Sequence, residues 1–232
     1  MTRIKTTLIL TFLIVCQFSS AQLIDKWILS YSLPTSENFE TGDIIFETTQ
    51  KRMNLRGILV FENDSLSQIS FKDSDFKTKK EAYKYEPDSL YTGRDRVEQL
   101  ILNKDTLRHI DTKYKGSYNV LYRLATPKKD YELSEVEEYL KSSKFAIDFS
   151  KVLTMQGREM KSLVDTLTFS DNNKLISKGN NTKSWRLINV NGDIFLEIDK
   201  MLYVQVYWIK KDKITFKSYF DKPHEFTMTK VK

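Results

Sequence analysis

Between Trp27 and the end of the chain, apolar and polar residues alternate with a period of two in a series of short runs. Trp27, Leu29 and Tyr31 share one parity, as do Ile69 with Phe71, and Tyr118, Val120 and Tyr122 with Leu124. Later runs keep the habit: Phe145, Ile147 and Phe149; Leu167 and Phe169; Ile194, Leu196 and Ile198; Ile214, Phe216 and Phe220. Successive side chains of a strand point to opposite faces, so this parity predicts strands with a buried face. Turn-forming residues punctuate the runs at Asn63-Asp64, Pro87-Asp88, Lys115-Gly116, Asp171-Asn172-Asn173, Gly179-Asn180, Asn191-Gly192 and Asp221-Lys222-Pro223. Asn191-Gly192 is the strongest of these signals, because a two-residue hairpin turn wants positive φ at both centres. Short strands spaced by about 8–12 residues predict an antiparallel meander, closed or nearly closed into a barrel.

One segment departs from this pattern. From Leu133 to Ser143, Leu133, Val136, Tyr139 and Leu140 recur at helical spacing, with acids toward the start and Lys141 toward the end, which predicts a short amphipathic helix. Ala125 to Asp130, just before it, reads as a linker. On either side lie stretches that resemble each other. Val97–Leu107 runs parallel to Val204–Ile214 at a constant offset of 107, and Gly57–Asp64 resembles Asp165–Asn172. The strand of Trp27, Leu29 and Tyr31 has its counterpart in Phe145, Ile147 and Phe149. Three matches in the same order point to an internal duplication of units of about 100 residues. The predicted fold is all-β: antiparallel meander barrels in two tandem units, residues 22–126 and 144–232, joined by a linker and short helix over 127–143.

The first 21 residues change the picture of where the protein works. Arg3 and Lys5 precede an uncharged apolar run from Leu8 to Phe18, then Ser19, Ser20 and Ala21, the order of a secretory signal cleaved after Ala21. The run is too short for a membrane-spanning helix, which needs about 20 residues. Cys16 raises lipid attachment as the competing reading, but Val15 stands where Gly, Ala or Ser usually precedes the modified cysteine. Cleavage removes Arg3, Lys5 and the lone cysteine, leaving 35 basic and 31 acidic residues, a net charge of +4. Such a protein is expected to be secreted, periplasmic or part of the cell envelope, with no membrane span after cleavage. It must be held by its core without disulfides, and thiol chemistry is excluded. A charge of +4 is ordinary solubility and gives no expectation of nucleic-acid binding, so the Lys210, Lys211 and Lys213 group is read as a solvated strand end.

The second unit resembles the lipocalin-like domains common among secreted proteins of surface-glycosylating Gram-negative bacteria. It does so through Leu167–Asn172, Ser184-Trp185-Arg186-Leu187, Leu196-Glu197-Ile198, Lys211–Phe216 and Phe226-Thr227-Met228. The first unit adds Asp25-Lys26-Trp27 at its start and Tyr122-Arg123-Leu124 at its close. The resemblance implies that Arg123, from the last strand, lies across the Trp27 indole as a structural pair. Asp25 replaces the family's glycine, and Phe145 and Lys230 stand where the second unit would carry the pair. The resemblance also implies an O-glycosylation acceptor at Ser65, Ser89, Thr106 and Thr166, each preceded by Asp and followed by Leu. Asp followed by Ser or Thr is equally what a turn entering a strand prefers.

Candidate chemistry is sparse. No two glycines are closer than the 13 positions from Gly179 to Gly192, so no phosphate-cradling loop exists, and neither a Gly-x-Ser-x-Gly elbow nor a His-Glu-x-x-His motif occurs. His109 and His224 are the sole histidines, which gives no metal site and no catalytic residue. Glu135, Glu137 and Glu138 are explained by their place in the first turns of a helix. No cofactor is expected. Aromatics are the informative excess. In residues 201–209, Val204, Val206 and Trp208 are assigned to one strand face and Tyr203, Tyr207 and Ile209 to the other, so this strand is covered twice. Eight-stranded barrels can hold one small ligand, and Trp185, Phe195, Tyr203, Tyr207, Trp208 and Phe216 are the candidate lining residues. The expected function is that of a non-enzymatic binding or carrier module for a small apolar or amphipathic molecule. The competing reading is an envelope interaction or structural module with solid cores and a protein partner.

Overall fold

A computed structural model of the chain describes residues 23–37, 44–46, 52–53, 57–71, 77–86, 89–92, 96–111, 117–148, 164–178, 181–200, 202–219 and 222–231. The predicted signal segment 1–21 with Cys16, and also Phe149 and Phe220, lie outside these residues. Within them the protein is mostly β and forms two closed antiparallel barrels of eight strands each, with one short helix between them. The chain divides into two compact units between Leu124 and Ala125.

The first unit runs β1 (Asp25–Glu37), β2 (Ile44–Phe46), β3 (Arg52–Met53), β4 (Gly57–Phe61), β5 (Ser65–Ser70), β6 (Lys77–Glu86), β7 (Ser89–Thr92), β8 (Arg96–Asn103), β9 (Thr106–Asp111) and β10 (Ser117–Arg123). Strands β4 to β10 pair in chain order, and β1 bridges β4 and β10 to close the ring; β2 and β3 add to β1 outside it. One face gathers Trp27, Leu59, Phe61, Leu66, Tyr83, Leu90, Leu100, Leu107 and Leu121 into a single apolar cluster. Because these come from all eight ring strands, that face is the interior. A bulge between Leu29 and Tyr31 shifts the β1–β10 register beyond the closing pairs.

The second unit begins with helix α1 (Leu133–Lys141) and continues through β11 (Lys144–Asp148), β12 (Val164–Phe169), β13 (Lys174–Ser177), β14 (Thr182–Val190), β15 (Asp193–Ile198), β16 (Leu202–Lys210), β17 (Lys213–Ser218) and β18 (His224–Lys230). Each strand pairs with the next, and β18 returns to β11. The Asn191-Gly192 turn has φ of 50° and 88°, as the sequence demands, and the Asn189 side chain accepts the Gly192 N–H at 3.0 Å. The duplication maps onto equivalent strands. Trp27 and Phe145 are on the first strand of each ring, Gly57–Phe61 and Val164–Phe169 form the second, and the 107-residue offset aligns the sixth and seventh.

The expected linker and separate helix are instead part of the second unit. Pairing of β15 with β16 stops at Phe195 with Gln205, which leaves one edge of β16 from Val206 onward without a strand. Residues 125–131 occupy that edge: Lys128 N–H donates to the Tyr207 carbonyl at 3.0 Å, and Ile209 N–H donates to the Tyr131 hydroxyl at 2.7 Å. At its start, the Ala125 carbonyl accepts from Gln205 Nε2 at 2.8 Å, and its N–H donates to the Tyr219 hydroxyl at 2.8 Å. That hydroxyl donates in turn to Gln205 Oε1 at 2.7 Å, and burial lifts its pKa above the ordinary tyrosine range. An open edge would expose unpaired backbone groups, and this strap satisfies them. Helix α1 follows, fully burying Val136 and Leu140 in the same core as Phe145, Leu167 and Trp185. Glu137 and Lys141 pair across one turn at 2.6 Å.

Truncating Leu140 to Ala is therefore expected to cost the second unit about 2–5 kcal/mol, the range for emptying a buried leucine site. Urea unfolding measures this, and a loss below about 0.5 kcal/mol, typical of exposed positions, would mean that the helix is a mere tether.

Candidate functional site

One end of the first barrel is sealed. Leu23, fully buried, accepts the Trp27 indole N–H on its carbonyl at 3.0 Å, so the largest buried side chain of this core leaves no polar atom unmet. Trp27 and Arg123 are cross-strand partners at the β1–β10 seam, and the guanidinium carbon lies 4.7 Å from the indole centroid. Arg123 Nη1 also donates to Asp25 Oδ2 at 2.6 Å, while Nη2 reaches the Lys104 carbonyl at 3.3 Å. Asp25, where the resemblance leads one to expect glycine, thus anchors the guanidinium over the ring. The cation–π contact contributes about 0.5–2 kcal/mol, and the partly exposed ion pair up to about 1 kcal/mol more.

The second barrel closes its ring in the same register with different atoms. Phe145 and Lys230 are cross-strand partners at the β11–β18 seam. Lys230 Nζ lies 4.1 Å from the ring of Tyr139 in α1 and donates to Ser142 Oγ at 2.9 Å, and Tyr139 packs on Phe145 with centroids 5.7 Å apart. Burial pushes the Tyr139 pKa up to about 12. The helix therefore supplies the ring that carries the cation.

The interiors differ more sharply than the seals. In the second barrel Phe216 and Phe226 are cross-strand partners, both buried, stacked with centroids 5.3 Å apart at 19°. The same 107-residue step leads back from them to His109 and Asn119, which are cross-strand partners in the first barrel. Flanking pairs keep step as well, Leu107 with Leu121 against Ile214 with Met228. Where the second barrel has two stacked rings, the first has a cavity of about 340 Å³ that is open to solvent on one side. Leu29, Leu59 and Leu121 give it an apolar side; Gln68, Ser70, Lys79, His109 and Asn119 give it a polar one. The Lys79 ammonium is paired with Glu81 Oε2 at 2.8 Å.

The six expected lining residues are not brought together. Trp185 and Phe216 point into the second barrel, where both are buried in its apolar cluster and Phe169 meets Trp185 edge-on at 5.1 Å. The Trp185 indole N–H is buried with no hydrogen-bond partner among the described residues. Phe195 and Tyr203 are buried on the opposite, outer face, beside the bidentate Arg186–Glu197 pair at 2.7 and 2.8 Å. Tyr207 and Trp208 are half-buried, also outside. A bulge between Val206 and Trp208 causes this: Val206 faces Phe216, but Trp208 faces Thr215 and Ile209 faces Ile214. A one-residue slip moves every later side chain to the other face, so Trp208 leaves the interior and Ile209 enters it.

No family model and no curated protein matches the chain. Among solved structures it is similar to a protein of unknown function from the DUF3598 family of Nostoc punctiforme PCC 73102. That likeness has 11% identity, 91% of this chain and 97% of that one covered, and a TM-score of 0.26. A score so low carries no argument about this chain.

Ser65, Ser89 and Thr106 each open a strand, as turn chemistry prefers, whereas Thr166 lies inside β12. Ser65 is buried and donates to Glu62 Oε2 at 2.7 Å. His224 Nδ1 lies 2.9 Å from the Lys222 carbonyl, Glu135 pairs with Lys129 at 3.0 Å, and Glu137 pairs with Lys141. None of the cavity residues is a Phe, Tyr or Trp, so the aromatic excess of the sequence does not point to them. Their signal was the repeat itself, extended through β9 and β10, where His109 and Asn119 fall opposite two phenylalanines.

Replacing Arg123 by Met keeps the aliphatic length and removes both the cation–π contact and the Asp25 pair. It is expected to lower the stability of the first unit by about 1–3 kcal/mol in urea titration. An unchanged midpoint would show that the seal holds without its cation.

Proposed function

We propose that this is an exported, non-enzymatic binding or carrier protein whose first barrel takes one small amphipathic molecule. The observation that carries the reading is the replacement of the Phe216–Phe226 stack by His109 and Asn119, which leaves about 340 Å³ in an otherwise parallel interior. Ligand pockets of small molecules begin near about 300 Å³ and combine apolar walls with a few polar groups, and this one does both. The three leucines suit a short hydrocarbon or ring, while Gln68, Ser70, His109 and Asn119 make up a polar side suited to one polar end. The lipocalin-like resemblance supports the same reading, a cup sealed at one end by a tryptophan under an arginine. Export rests on the charged, apolar and small-residue order of residues 1–21. For the second barrel, whose interior buries Trp185, Phe216 and Phe226 in one apolar cluster, the reading is an interaction or structural module of the envelope.

Native mass spectrometry of protein recovered from its own source is expected to show a small-molecule adduct that organic solvent releases. The double variant His109→Phe with Asn119→Phe rebuilds the second barrel's stack in the first and is expected to fold but to lose the adduct. A native mass equal to the polypeptide alone, with no uptake of 1-anilinonaphthalene-8-sulfonate that the double variant abolishes, would overturn the reading.

A further inference from the structure

The bulge that expels Trp208 builds a surface with no part in the cavity. Tyr207 and Trp208 lie on the outer face of β16, and lysines stand over both rings. Lys128 Nζ is 4.4 Å from the Trp208 centroid and 5.6 Å from that of Tyr207; Lys210 is 5.0 Å from Trp208, and Lys217 is 5.2 Å from Tyr207. Lys211 and Lys213 complete the adjoining hairpin, and a groove of about 410 Å³ runs between Trp208, that hairpin, Thr215 and Thr227.

These cations differ from the lysines of β6. There Lys79, Lys80 and Lys84 are each neutralised by a carboxylate, Glu81, Glu62 and Glu86, at 2.8, 2.8 and 2.6 Å. Among the described residues, none of Lys128, Lys210, Lys211, Lys213 and Lys217 has a carboxylate at ion-pair distance. Acids on this face include Asp212 in the hairpin, Glu225, the cross-strand partner of Lys217, and Asp193, buried and accepting from Gln205 at 2.8 Å. An aromatic face holds an ammonium group in place without cancelling its charge, so the spacing of these positive groups is set before any ligand arrives. The Thr215 and Thr227 hydroxyls, hydrogen-bonded to each other at 3.1 Å, lie in the groove, and the pair keeps one O–H and spare lone pairs for other hydroxyls.

We propose that this groove binds an acidic polysaccharide, a chain of sugars bearing carboxylate groups at regular intervals. Repeated anions match the row of lysines, and sugar hydroxyls match the threonines. Single-stranded nucleic acid fits less well, because base stacking needs open aromatic faces and here lysines stand over them. A membrane surface fits less well too, since among the described residues the exposed large apolar ones, Ile24, Tyr91, Val164, Ile176 and Val231, lie outside the groove.

The test is affinity electrophoresis of the whole protein in gels containing alginate, a polyuronate, with neutral dextran as the reference. Alginate is expected to retard the protein and dextran not to. Changing Lys128, Lys210 and Lys213 together to Gln should weaken retention about tenfold or more, the sum of several modest charge contacts. Lys80→Gln with Lys84→Gln, the same kind of change at neutralised positions, should leave it within about twofold. The cavity variant His109→Phe with Asn119→Phe should retain full alginate binding, so failure of the cavity reading and failure of this one are separable. Equal retention by the triple variant, no retention in alginate, or equal or tighter binding to oligothymidylate or phosphatidylglycerol vesicles would each overturn the proposal.

Discussion

In both barrels a cation from the last strand is held on an aromatic ring beside the seam where first and last strand meet. A sheet of eight strands has two edges until it closes, and closure costs the conformational freedom of everything in between. Trp27 with Arg123 and the Phe145–Lys230 seam with Tyr139 lie where the ends of each ring meet. Each cation covers one end of its barrel with a hydrogen-bonded, partly solvated group in place of bare apolar surface. The first barrel makes the contact within two strands and anchors it with Asp25. The second borrows a ring from α1, which explains why the helix belongs to that core.

A shared frame frees the interior to differ. The Leu107–Leu121 and Ile214–Met228 pairs preserve the layer next to the seal, and divergence begins one layer further on. Burying two stacked phenylalanines stabilises the second barrel by about 1.5–3 kcal/mol for each ring. His109 and Asn119 forgo that term, and the first barrel keeps its fold with a core concentrated near Trp27, Phe61 and Leu66. A protein that gives up burial on one side of a duplication while retaining it on the other has a reason to keep the space, which is the physical basis for proposing a ligand there.

Much of this was legible in the residues alone. Period-two alternation marked the strands, Asn191-Gly192 marked its hairpin, and the 107-residue offset marked the duplication. Two kinds of information were hidden. Parity reads a strand as regular, so the bulge at Tyr207 misassigned Trp208 and Ile209, and with them part of the expected pocket. Composition reads Ala125–Asp130 as linker, yet the open edge of β16 that it covers is a tertiary feature without a local signal. The six aromatic candidates lie in the second barrel, whereas a cavity is a property of what is missing from a position relative to its repeat.

Methyl-resolved NMR during titration with a short-chain amphiphile such as octanoate tests the division of labour between the barrels most directly. The methyl signals of Leu29, Leu59 and Leu121 should shift in a saturable manner, while those of Leu167, Leu175 and Leu196 stay fixed. Saturable shifts confined to the second set, or none in either, would contradict the claim that exchanging two interior rings for His109 and Asn119 turned one of two like barrels into a container.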